Sequence, residues 1–360
     1  MFIRIKILDS LRGVAALIVL FHHLFKLNEF YFEKVTTTSF FKILNLISGL
    51  NHEAVMFFFI LSGFSIGLSL QNRILNTKAS LNYYLYRRFK RILPIYWLAL
   101  IFTLFIGYVA RITYNQDFSW NNLVGNILFL QSSASATDAW FNPYGLNGPL
   151  WSLSFEMFFY LFFPIVYYLN YRYFKSWSIF LKFSLLFAFS LLAIIFNKKV
   201  LFIPYLLFFT NFGTWILGYL SSQYFLYKKK YNLFFITSFL LGIIMMLLKD
   251  KIPSDTIHVM AKGLLMNGIF YFAIHFFQKY DWSKLEKIIN FLFFKIGEGS
   301  YAIYALHYPL LILLEKQKIT IINQALIIII FIIISIYIER ITVRFKWKFL
   351  EINYLKVRAK

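Results

Sequence analysis

Few residues in this sequence are equipped for chemistry, and most of them lie in apolar surroundings. Arg12 and His23 stand eleven residues apart in KILDSLRGVAALIVLFHHLF. At about 100° per residue that spacing is three helical turns plus roughly 20°, so the two side chains share one face with their Cα atoms about 16 Å apart along the axis. Asp9, three residues before Arg12, can pair with the guanidinium on the same face. His22 points about 100° away. Further on, His52 and Glu53 open a second apolar run, Glu156 interrupts a third, and His307 lies within a late one. Arg87, Arg88, Lys90 and Arg91 cluster in YLYRRFKRILP. A guanidinium cluster suits a phosphorylated ligand, which it binds bidentately. Histidine backed by a carboxylate suits proton abstraction from a hydroxyl.

The elements that must position these groups are transmembrane helices. Sixty per cent of the 360 residues are hydrophobic and only 14% are charged, a balance that a soluble domain of this length could not cover with polar surface. The net charge of +22 comes from short Lys/Arg clusters between apolar runs, which reads as membrane anchoring and excludes a nucleic-acid partner. The chain has no cysteine, which rules out disulfides, thiolate metal sites and a cysteine acyl-enzyme, and no metal site is expected. The basic N-terminus before the first apolar run resembles a signal peptide, but Arg12 interrupts that run and no small-residue cleavage site follows, so it is read as a retained span.

At about 20 apolar residues per crossing, the chain offers roughly ten spans, near 8–25, 54–70, 92–110, 150–169, 177–196, 201–227, 231–248, 256–277, 297–314 and 321–338. With the N-terminus inside, 24 Lys and Arg fall on inner segments and 10 on outer ones, which places both termini in the cytoplasm. The expected fold is therefore all-α: a polytopic bundle over 1–340, followed by a basic cytoplasmic tail over 341–360. Segment 111–149 is a turn-rich outer loop, with 122–130 too short to cross. In this topology Arg12 and Arg87–Arg91 lie at the inner mouth, whereas His23, His52, Glu53, Glu156 and His307 fall in the outer half. Buried charge in hydrocarbon is costly, so these groups need partners or a wet cavity.

The segment LDSLRGVAALIVLFHHLF resembles the opening motif of the membrane-bound acyltransferase 3 family, in which Arg and His recur at the spacing of Arg12 and His23. Four further segments are similar to that family in order: HEAVMFFFILSGF, YRRFKRILPIYW, GPLWSLSFEMFFYLFFP and GSYAIYALHYPL. Two departures are Ser10, where the family usually has Gly, and an Ile-Glu-Arg ending at Glu339 and Arg340 without the Pro that often follows. The resemblance implies transfer of an acyl group, commonly acetyl from acetyl-CoA, to an envelope glycan or secreted acceptor at the inner (plasma) membrane. The SGNH hydrolase-like domain of some relatives is absent from this sequence.

On that reading the phosphates of acyl-CoA rest on Arg87, Arg88 and Arg91, with Arg12 beside the pantetheine arm. His23 takes the proton of an acceptor hydroxyl, and Glu156 orients the imidazole. His52, Glu53, Ser62, Gly63, Tyr301 and His307 fall to the acceptor side, Gly63 by letting substrate approach the backbone. A transient acyl-histidine is a second route. The alternatives stay open: topology anchors for the arginines, a solvated helix cap for His52 and Glu53, and a helix-tying hydrogen bond for Glu156. A proton-coupled exporter or flippase of a sugar-containing substrate would also place Glu and His inside the membrane.

Overall fold

The computed structural model describes residues 6–344, with gaps at 72–74, 113–115, 133–140, 197–205, 228–231, 248–254 and 280–283 and at scattered positions between 175 and 194. Among the described residues the chain is helical, without strands. The helices are α1 (Lys6–Leu27), α2 (Glu29–Val35), α3 (Thr38–Ser48), α4 (Asn51–Ser69), α5 (Lys78–Val109), α6 (Trp120–Ile127), α7 (Trp151–Arg172), α8 (Leu206–Tyr227), α9 (Asn232–Leu247), α10 (Asp255–Lys279), α11 (Lys284–Glu298), α12 (Ser300–Lys316) and α13 (Ile321–Arg344).

Five stretches are long and apolar enough to cross a membrane: Lys6–Leu27, Thr38–Ser69, Lys78–Val109, Gly148–Arg172 and Ile321–Arg344. Helix α13 shows what solvent they require, because Leu326, Ile329, Ile330, Ile333 and Ile334 are each at least half exposed. Apolar surface of that extent is stable against lipid and a liability in water. The protein is a helical membrane bundle.

Local signals set the element ends. Thr77 and Ser80 cap α5 reciprocally: Ser80 N–H donates to Thr77 Oγ1 at 3.1 Å and Thr77 N–H to Ser80 Oγ at 3.2 Å. Ser119 Oγ caps α6 by accepting from Asn122 N–H at 3.2 Å. Helix α6 is the short element that the sequence places near 122–130. Several boundaries depart from the hydropathy reading. Helix α5 starts at Lys78 rather than near 92, so Arg87–Arg91 lie inside it. The segment 278–296, taken as an inner connection, holds α11. Helix α13 runs on to Arg344, so Glu339 and Arg340 are helical. Nearly half of the expected span 177–196 and residues 345–360 of the tail lie outside the described residues.

The chain divides into two compact units. One comprises the described residues of Val55–Leu81 and Phe155–Trp282; its interior is aromatic, with Phe155, Phe159, Phe163 and Trp215 all nearly inaccessible. The other comprises Lys6–Ala54, Asn82–Ser154 and the described part of Ser283–Lys360. In this second unit α1 packs on α11 and α12, and α12 packs on α13. The α1–α11 crossing depends on glycine: a Cβ on Gly13 would meet the backbone of Phe293 and Gly297, and one on Gly297 would meet the carbonyl of Asp9. Small residues let two backbones touch, the main way membrane helices gain packing energy.

Candidate active site

In the second unit Arg12 and His23 both lie on α1, the helix that packs on α11 and α12. Because α1 runs unbroken from Lys6 to Leu27, the eleven-residue spacing holds as one stripe. Near its N-terminal end Arg12, only 8% exposed, donates from Nη1 to Asp9 Oδ1 at 2.9 Å, the contact expected from the sequence. Glu339 of α13 lies within electrostatic reach of both Arg12 and Arg91. It is buried, and its Oε2 accepts from the backbone N–H groups of Tyr301 at 3.0 Å and Ala302 at 3.1 Å. These are orphan donors of the first turn of α12, whose N-cap is Gly299 and has no side chain to serve them. A carboxylate there also meets the positive end of the helix dipole.

At the other end of the stripe two imidazoles meet. The rings of His23 and His307 are 5.2 Å apart between centroids and inclined by 34°. Tyr308 stands edge-on to His23 at 4.7 Å and His22 does so at 4.8 Å. The ring of His22 is engaged elsewhere, since its Nδ1 donates to the Ser48 carbonyl at 2.8 Å and ties α1 to the end of α3. His52 is exposed in the first turn of α4, yet within electrostatic reach of His23; Glu53 beside it is half-buried.

His307 is held from its own helix and from outside it. Its Nδ1 donates to the Tyr304 carbonyl at 2.8 Å and lies 3.2 Å from that of Ile303. Pro309, two residues on, has no N–H for the carbonyl of Ala305. Asn147 supplies the missing donor, its Nδ2 reaching Ala305 O at 2.9 Å and Thr103 Oγ1 at 3.1 Å. Ser152 Oγ donates to Tyr304 OH at 2.7 Å, and Tyr304 OH donates to the Pro149 carbonyl at 3.1 Å. Gln131 Nε2 reaches the Leu150 carbonyl at 3.0 Å, tying the 148–150 turn back to the residues that follow α6. Residues Asn147, Pro149 and Ser152 thus clamp α12 about one turn ahead of His307.

The other sequence-derived residues fall as follows. Arg87 and Arg88 extend over the rings of Tyr83 and Tyr84, each at 5.7 Å, one turn back on α5. Tyr301 is buried, with its hydroxyl 3.5 Å from the Ile92 carbonyl. Glu156 belongs to the first unit, where its Oε1 accepts from Ser62 Oγ at 2.9 Å and Tyr160 OH at 2.5 Å. Trp215 Nε1 donates to Ser62 Oγ at 3.1 Å. A half-buried carboxylate, two hydroxyls and an indole therefore bind α4, α7 and α8 together. Gly63 serves the same packing. The sequence reading put substrate beside it; the structure puts the backbone of Trp215 and Tyr219 there, and a Cβ would collide with the Trp215 carbonyl.

Two residues that hold the site escaped the reading of the sequence as chemistry: Glu339, noted only where the last span departs from the family pattern, and Asn147, taken as a loop residue. A carboxylate inside an otherwise apolar terminal helix was a signal by the same cost argument that singled out Glu156. For Asn147 the signal was weaker, lying only in a helix-interior proline whose freed carbonyl needs a donor.

Two histidines in ring contact, with a guanidinium at the other end of the α1 stripe, give this membrane bundle groups suited to transfer chemistry. The acyltransferase 3 family model, described as an acyltransferase domain, matches residues 5–340. The chain belongs to that family. It is also similar to a protein named acyltransferase MdmB from Streptomyces mycarofaciens, 34% identical over 168 residues, which is 46% of this chain and 40% of that protein. The matched stretch therefore spans well under half of the relative. No solved structure matches the chain.

Proposed function

We propose that the protein moves an acyl group, acetyl in the simplest case, from a cytosolic acyl-CoA to a hydroxyl of an extracytoplasmic or lipid-linked glycan. It does so as a multi-pass protein of the inner (plasma) membrane with both termini in the cytoplasm. The observation that carries this reading is the contact of His23 with His307 on a stripe whose other end holds Arg12. Family membership and the relative named as an acyltransferase support it.

The division of labour follows from charge and geometry. Arg91, Arg87 and Arg88 receive the phosphates of the donor, for which planar guanidinium groups are suited. Arg12, held by Asp9, stands beside the pantetheine arm. The thioester reaches the imidazole pair, which accepts the proton of the acceptor hydroxyl as that oxygen attacks the carbonyl; the proton then goes to the departing thiolate.

The test is made on purified protein in liposomes loaded with glycan acceptor, with acetyl-CoA supplied outside. Free thiol should appear together with an acylated acceptor, both abolished by Arg12→Ala. Glycan flux across the bilayer without thioester cleavage would establish a transporter instead and overturn the proposal.

A further inference from the structure

The imidazole pair leaves open which ring takes the proton, and the two differ in how they are held. Among the described residues, His23 meets its neighbours through ring contacts with His22, His307 and Tyr308. His307 is 1% exposed and has its Nδ1 on the Tyr304 carbonyl at 2.8 Å. A carbonyl only accepts, so Nδ1 carries the hydrogen and the neutral ring presents a lone pair at Nε2. That Nε2 is buried and has no hydrogen-bond partner among the described residues. An unpaired acceptor at such depth is costly, and a functional group is one standard reason for its retention.

We infer that His307 is the catalytic base of the acyl transfer and that His23 is a positioning residue for it. This rests on the proposed acyl-transfer reading and reassigns a role that the sequence alone gives to His23. The acceptor hydroxyl donates its hydrogen bond to Nε2. As the O–H bond breaks, the proton passes to Nε2 and the oxygen pair forms the C–O bond to the thioester carbonyl. Collapse of the tetrahedral adduct breaks the C–S bond, and Nε2 returns the proton to the thiolate, leaving the acyl ester and the free thiol of CoA. The Tyr304 carbonyl holds the tautomer throughout, as a carboxylate does in a hydrolytic triad. His23 sets where the acceptor oxygen can stand against the ring.

The experiment compares His307→Ala, His307→Asn, His23→Ala and His23→Phe with the parent protein in the same liposome assay. Asparagine keeps an N–H near the Nδ1 position, preserving the bond to the backbone, but has no base at Nε2. Both His307 variants should lose about 10²–10⁴-fold in kcat with the KM for acetyl-CoA within a few-fold, as expected for loss of a positioned base. Added imidazole should restore part of the activity of His307→Ala only. His23→Phe should lose less in kcat, raise the acceptor KM and gain nothing from imidazole. Near-parental kcat in His307→Asn overturns the inference, and so does imidazole rescue confined to a His23→Ala protein. Absence of acyl transfer in the parent protein would instead overturn the reading on which the inference rests.

Discussion

The bond between Asn147 and the Ala305 carbonyl is the point at which the segment before α7 controls the His307 helix, and its energy can be isolated. Ala305 is fully buried, and Pro309 denies its carbonyl the usual donor four residues on. Asn147 Nδ2 makes good that loss at 2.9 Å. Replacing Asn147 by Leu leaves a buried carbonyl without a donor, which costs about 1–2 kcal/mol, and removes the 3.1 Å bond to Thr103 Oγ1, worth about 1 kcal/mol more. Pro309→Ala returns an N–H to that carbonyl from within α12. In the Pro309→Ala background, Asn147→Leu should therefore cost only the Thr103 bond. The double-mutant cycle should show a coupling of about 1–2 kcal/mol.

Equilibrium unfolding of the four proteins in mixed micelles with rising dodecyl sulfate measures the cycle. A 1–2 kcal/mol loss is a roughly 5- to 30-fold change in the folded-to-unfolded ratio, well within reach. Additivity to within about 0.5 kcal/mol would refute the argument, since it would mean that the two residues do not serve one carbonyl. The same Asn147→Leu protein should lose kcat while keeping its KM for acetyl-CoA, because the damage lies in the placement of His307.

Three further outcomes follow from the geometry. Gly297→Leu should abolish folded protein, because its side chain enters the Asp9 backbone, whereas the same change at Gly148, beside which a Cβ meets nothing, should be tolerated; size-exclusion profiles in detergent separate the two. Glu339→Gln keeps an oxygen for the Tyr301 and Ala302 amides and should remain folded, whereas Glu339→Ala should lose about 1–3 kcal/mol, read by thermal unfolding. Glu156→Gln should preserve stability, because the amide oxygen still accepts from Ser62 and Tyr160; a large fall in kcat in that stable protein would show that the negative charge itself is used in turnover.

What the sequence discloses here divides along the range of the interactions. The Arg12–Asp9 pair and the common face of Arg12 and His23 lie within one helix, and helical periodicity alone dictates them. Hydropathy found most of the apolar helices but misplaced their ends, because a window of apolar residues stops at Lys and Arg even where the backbone continues. That is why α5 begins 14 residues before the expected span and why α11, with Lys284, Lys287 and Lys295, read as a connection. Contacts across hundreds of residues carry no local signature. His307 was legible as a buried histidine, but its place against His23 depends on α12 packing on α1. Gly63 shows the converse error: a glycine beside a serine in a membrane helix permits close approach of any backbone, and only the arrangement of helices decides that the visitor is α8 rather than a substrate. The same logic bears on the base. Position along one helix favours His23, since it shares its stripe with Arg12, whereas hydrogen bonding favours His307, since a ring with its Nδ1 fixed presents a directed lone pair. Direction decides proton transfer more strongly than proximity does, because a base must meet the hydroxyl within about 2.6–3.2 Å along its lone pair. The constraint that makes His307 the better base is thus a hydrogen bond to its own helix, held in place by an asparagine 160 residues away.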